Sequence, residues 1–167
     1  MPVETHHAYI ALGSNIEPRR EFLNRAIKAL DRNESTSVVQ KSHVYETVPK
    51  GYADQADFLN MVLEVETTCD PFALLGIAQQ IEDDLNRVRT IKNGPRTIDV
   101  DLLAYEDQII DHEILELPHP RIQERAFVLF PIAEIAADFV LPGTGQTIQA
   151  LRDALPEAEK ADVRIYE

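Results

Sequence analysis

Between residues 58 and 67, FLNMVLEVET, apolar side chains recur at every second position. Strand side chains alternate with period two, so Leu59, Met61, Leu63 and Val65 share one face and Phe58, Asn60, Val62 and Glu64 the other. One face is that of a core; the other opens with an aromatic beside an amide. HAYIALGSN reads as a buried strand ending in a Gly-Ser-Asn turn. In IEPRREFLNRAIKALDRN, which follows, Leu23, Ala26, Ile27 and Leu30 recur at helical spacing and Pro18 suits the first turn. STSVVQKSHVYET is β-forming, and VPKGYADQAD is a loop punctuated by Pro, Gly and Asp. DPFALLGIAQQIEDDLNRVR predicts a helix capped by Asp70, with Pro71 at its first position and a stripe of Leu74, Ala78, Ile81, Leu85 and Val88. RTIDVDLLAY returns as a strand, QIIDHEILELPHPR as a short strand or loop, and the remainder as shorter helices and a turn.

Strand, helix, strand, strand, helix, strand is the order of a ferredoxin-like βαββαβ core. The expected class is therefore α+β: an antiparallel sheet with packed helices and C-terminal additions. The 167 residues suit one domain, 1–167, and no internal repeat or low-complexity tract interrupts them.

Composition narrows the function classes. A net charge of −13 argues against a general nucleic-acid or anionic-membrane binder, so any anion must be held by a local basic patch. The single cysteine, Cys69, cannot form an internal disulfide, and MPVETHHAYIALGSN lacks the basic and apolar regions of a secretory signal, which makes cytoplasm the expected location. No apolar run approaches the length needed to cross a bilayer. A basic patch is nevertheless present: Arg87, Arg89, Lys92 and Arg96 fall within ten positions, and Arg121 and Arg125 follow His119. Alone, that cluster is equally a solvated loop pairing with Glu82, Asp83 and Asp84.

The segment RTIDVDLL sharpens the question. Ile98, Val100 and Leu102 share one face of the predicted strand while Asp99 and Asp101 share the other, about 6.6 Å apart along it. Two such carboxylates repel unless a cation lies between them or each is separately paired. A Mg²⁺ ion resolves the conflict, since it takes oxygen ligands and leaves room for phosphate oxygens. An exposed polar face of an edge strand is the other reading. Arginines close to a carboxylate pair have the composition of a phosphoryl-transfer site. No GxxxxGK[ST] or GxGxxG loop occurs, and LPGTGQTIQAL reads as a turn with a helix cap.

The segments AYIALGSN, SHVYETVPKGYADQADFLNMV, RVRTIKNGPRTIDVDLLAY and LPHPRIQERAFVLFPIAEIA, in this order, resemble the 6-hydroxymethyl-7,8-dihydropterin pyrophosphokinase family of folate biosynthesis. They spread over about four fifths of the chain, and GPRTIDVDLL and LPHPRxxERAFVL are its most specific blocks. The resemblance implies two Mg²⁺ ions held by Asp99 and Asp101 and bridging the phosphates of ATP. It puts Arg87 and Arg89 on a mobile loop over the nucleotide, and Arg96, His119 and Arg125 against phosphates or nucleotide. Arg87, Arg89, Arg96, Asp99 and Asp101 form the implied catalytic group; Glu82 and Leu102 are expected beside the nucleotide. For the pterin it implies Asn60 as the hydrogen-bonding amide, Phe58 and Phe127 as ring walls, backbone contacts from Thr47 and Val48, and Asp99 at the border of pterin and metal. Phe127 has a core reading as the lesser alternative to ring stacking, and without the resemblance His119 reads as a solvated loop histidine. The family often carries a tryptophan just before GPRT, where this chain has Asn93.

The expected activity is diphosphate transfer from ATP to the pterin hydroxymethyl group, giving AMP, by a protein acting as a monomer with no nucleic-acid or membrane partner. The alternative is a non-catalytic ferredoxin-like module that senses a nucleotide, and a weaker one is a nucleotide hydrolase using the same carboxylates on water.

Overall fold

The computed structural model describes residues 4–49, 55–85 and 97–167. In chain order the elements are β1 (His6–Ser14), α1 (Arg19–Arg32), β2 (Thr36–Lys41), β3 (Tyr45–Thr47), β4 (Phe58–Thr67), α2 (Pro71–Asp84) and β5 (Asp99–Tyr105). They continue as β6 (Ile110–Asp111), β7 (Glu116–Leu117), a 3-10 turn (Ile122–Glu124), α3 (Ala126–Ala136), α4 (Ile148–Asp153), α5 (Glu157–Ala161) and β8 (Val163–Ile165).

The main sheet runs β5-β1-β4-β3-β8 with every neighbour antiparallel, and β2 also pairs with β4. This is the ferredoxin-like order with its second strand divided in two. The sequence predicts one strand across STSVVQKSHVYET; the structure breaks it at residues 42–44. There Ser42 carries the ladder across the gap: its N–H donates to the Val62 carbonyl at 3.0 Å, and its Oγ accepts the Val62 N–H at 3.0 Å. Val44 turns instead to the C-terminal residues, exchanging backbone hydrogen bonds with Tyr166 and Glu167.

Helices cover both faces of the sheet. On one, α1 and α2 pack Leu23, Leu30, Leu74 and Ile81 against Ile10, Leu12, Leu63, Val100 and Leu102. On the other, Leu129, Ile132, Ile148 and Leu151 of α3 and α4 pack against Val62 and Leu103. β4 thus differs from its expected single core face, since its residues 58–63 are all buried.

Local signals set the element ends. The Asp70 carboxylate accepts the Ala73 N–H at 2.8 Å and Pro71 opens α2, as the sequence predicts. Thr147 caps α4 through Ala150, after a turn in which Gly143 and Gly145 adopt positive φ. QIIDHEILELPHPR contains the small hairpin β6-β7. Among the described residues no helix is long and apolar enough to cross a membrane.

Candidate active site

The face bearing α3 is left uncovered at one end of the sheet, and a cleft of about 530 Å³ opens there. Register builds its floor. Gly13 of β1 lies opposite Asp99 of β5 on one side and Asn60 of β4 on the other; the next row sets Ala11 between Asp101 and Val62. Residues directly opposite in a ladder share a face, so small β1 residues separate the carboxylates from the amide. A Cβ on Gly13 would stand 2.7 Å from Asn60 Oδ1, so glycine is what lets the amide lie across the strand. The Asn60 Nδ2 donates to Thr47 Oγ1 at 2.6 Å, and both residues are buried. Phe58 and Phe127 also line this cleft.

Asp99, Asp101 and Leu103 project from β5 into the cleft while Val100 and Leu102 enter the core. Leu102, expected beside the nucleotide, therefore points its side chain away, and Leu103 occupies that face. Continuing the alternation from Asp99 and Asp101 identifies it.

The outer edge of β5 is finished by side chains and loops. The Val100 N–H donates to Glu82 Oε2 of α2 at 2.8 Å, and the Leu103 carbonyl accepts the His119 N–H at 2.8 Å. Glu82 is thus fastened to the strand that carries the carboxylate pair, and it is not among the residues lining the cleft.

Arg121 and Arg125 bring positive donors, and His119 a neutral ring, to the cleft opposite the aspartates. The His119 Nδ1 accepts the Arg121 N–H at 3.2 Å, so in the neutral ring the proton sits on Nε2. Burial, and then the charges of Arg125 and Arg121, push its pKa down to about 4. Arg125 lies 5.4 Å from the Phe127 ring centroid. Burial lowers its pKa against the raising pull of Asp101, and the guanidinium stays charged.

Val48 borders the cleft, but its N–H donates to the Asp162 carbonyl at 3.1 Å, so a backbone contact from Val48 falls to its carbonyl. Arg87, Val88, Arg89, Lys92, Asn93 and Arg96 lie outside the described residues. Sequence reasoning had no site role for Gly13, Leu103, Arg121, Glu124 and Glu159, which also line the cleft. Arg121 was visible only as a cation near His119; Gly13, Glu124 and Glu159 emerge from tertiary placement alone.

Among the described residues no group of three or more His, Cys, Asp or Glu side chains could hold a metal ion. Two carboxylates on one strand suit Mg²⁺, which completes its shell with waters and phosphate oxygens, better than a metal needing a closed protein cage.

The family model described as 7,8-dihydro-6-hydroxymethylpterin-pyrophosphokinase (HPPK) matches residues 9–137. A 2-amino-4-hydroxy-6-hydroxymethyldihydropteridine pyrophosphokinase of Bacillus subtilis is 50% identical over 128 residues, 77% of this chain and 77% of that one. The Haemophilus influenzae protein of the same name is 43% identical over 137 residues, 82% of this chain and 86% of its own. In fold the chain is similar to a Plasmodium falciparum HPPK-DHPS solved with pterin and p-hydroxybenzoate, with a TM-score of 0.75 at 15% identity over 98% of this chain. It spans 47% of that fused chain.

Proposed function

The chain belongs to the 7,8-dihydro-6-hydroxymethylpterin-pyrophosphokinase family, a family of ATP-dependent diphosphate transferases in folate synthesis, and we propose how its own residues carry out that transfer. The substrates are ATP and 6-hydroxymethyl-7,8-dihydropterin. The pterin hydroxyl oxygen attacks the β-phosphorus in line, the bond from that phosphorus to the α–β bridging oxygen breaks, and AMP leaves. One observation carries the assignment: Asp99, Gly13 and Asn60 stand in one row across three strands, so a phosphate-side carboxylate and a pterin-side amide face one cleft.

Asp99 and Asp101 would hold Mg²⁺, two ions in this reading, which would supply charge neutralisation to the triphosphate. Asn60 reads the pterin edge, with its amide fixed by Thr47. Phe58 and Phe127 wall the ring, Thr47 and Val48 add backbone contacts, and Asp99 borders the hydroxymethyl end. His119 offers an Nε2–H and Arg125 a guanidinium to phosphate oxygens as negative charge moves onto the bridging oxygen. From the motif, Arg87, Arg89 and Arg96 take further phosphate contacts. Glu82 and the backbone of Leu102 serve the nucleotide from the outer side of β5. The protein acts as one pyrophosphokinase domain, 1–167, as a cytoplasmic monomer.

Phosphorus NMR of ATP, Mg²⁺ and the pterin alcohol incubated with the protein tests this directly. AMP and the pterin diphosphate should appear in equal amounts. Phosphate release without the pterin would instead mark a hydrolase, and nucleotide binding with no turnover a sensing module.

A further inference from the structure

The residues assigned to the pterin include Thr47, the last residue of β3, and Phe58, the first of β4, which face one another in the ladder. β3 is only three residues long, and so short a strand next to a connecting segment is prone to fray. On the sheet face away from the cleft, a set of charges ties the two ends of that connection together. Glu46 of β3 lies directly opposite Arg164 of β8. The Arg164 Nη2 donates to Glu46 Oε1 at 2.7 Å and to Asp57 Oδ2 at 3.0 Å. The Arg19 Nη1, at the start of α1, donates to Glu46 Oε2 at 2.7 Å and to the Asp57 carbonyl at 3.0 Å. Each arginine therefore spans from the residue before Thr47 to the residue before Phe58.

The Arg19 and Glu46 side chains are largely shielded, at 12% and 19% exposure, whereas Arg164 is open to solvent. The Arg19 hydrogen bond holds the Glu46 carboxyl below the usual carboxylate range, against partial burial. Asn15 adds a third tie just past β1, which runs on through Gly13 and Ser14 where the sequence predicts a turn; its Nδ2 donates to Gln55 Oε1 at 2.8 Å and the Ala56 carbonyl at 3.0 Å. None of Arg19, Glu46, Asp57 and Arg164 lines the cleft.

We propose that Arg19 and Arg164, through Glu46 and Asp57, are positioning residues that hold the pterin end of the cleft in register. The brace keeps the Thr47 hydroxyl at the Asn60 amide and Phe58 at the ring position, and it leaves the nucleotide end on β5 untouched. This rests on the pterin assignment of Thr47, Phe58 and Asn60.

The test uses the full chain with Arg19→Ala/Arg164→Ala, Arg164→Ala alone, and Arg19→Lys/Arg164→Lys. Amide hydrogen exchange and steady-state AMP formation are both measured. In the alanine pair, exchange at Thr47 and Phe58 to Asn60 should rise while that of β5 holds. The KM for the pterin should rise about tenfold with the KM for ATP within about twofold, and the lysine pair should recover part of both effects. Arg164→Ala, whose side chain is exposed, should move the same readouts in the same direction if the alanine pair does not fold. Unchanged exchange at Thr47 and Phe58 overturns the brace, and so does a parallel rise in both KM values. Failure of the parent protein to make AMP would count against the assigned activity, and the exchange data would still decide the brace.

Discussion

At Gly13 the absence of a side chain makes room for the Asn60 amide. A Cβ there would fall 2.7 Å from Asn60 Oδ1, and the amide is already committed to Thr47 Oγ1 at 2.6 Å, so a methyl group must displace the amide proposed to read the pterin. Gly13→Ala is expected to raise the pterin KM about tenfold while ATP binding changes little, which steady-state kinetics with each substrate varied will show. His119 makes a second prediction. With its pKa pushed from 6.5 to about 4, the folded protein holds the ring neutral where the unfolded chain takes up a proton. The unfolded state then binds more protons, so stability is full above about 6.5 and declines as pH falls toward about 4. Urea unfolding across that window should show this decline, and His119→Gln should flatten it. Of these two residues only His119 was visible in the sequence, because a motif exposes a side chain and glycine's role exists only through register.

Elements explain why Asp99 and Asp101 are presented so firmly. β5 is an edge strand, and its outward Val100 N–H is taken by Glu82 of α2 and its Leu103 carbonyl by the His119 N–H. Glu82→Ala should cost about 1.5 kcal/mol in urea unfolding, the low end of the scale for one hydrogen bond to a charged acceptor, here partly buried. Glu82→Gln, whose amide oxygen still accepts, should restore most of it. Loss of ATP affinity without loss of stability in both variants would place Glu82 at the nucleotide alone. Period and caps made most elements readable: α1 and β5 follow the apolar spacing, β4 is a strand buried on both faces, and Asp70 caps where expected. α2 follows the spacing as far as Ile81 and ends at Asp84, short of the predicted Leu85, with Val88 outside the described residues. The break between β2 and β3 was hidden because Ser42 substitutes for a ladder partner, and β8 because three residues of strand leave no periodic signal.

For the whole molecule, the sheet order places the aspartates and the aromatic-amide pair on neighbouring sides of β1, and packing helices on both faces leaves one end open. In a chain of net charge −13, Arg121 and Arg125 stand at that end beside Asp99, Asp101, Glu124 and Glu159, so an anionic substrate meets two fixed cations there and needs further positive charge to offset the carboxylates. The carboxylate pair was legible from alternation and the family motifs from their residues. The placement of Asp99 and Asn60 on either side of Gly13 was not, because it depends on which strands become neighbours. The most direct test of the account is AMP production from ATP and the pterin alcohol, titrated with Mg²⁺, in Asp99→Ala/Asp101→Ala beside the parent. Turnover should fall by about three orders of magnitude or more in a variant whose circular dichroism matches the parent. A folded double variant that keeps near-parental Mg²⁺-dependent AMP production would contradict the assignment of the pair to metal and catalysis.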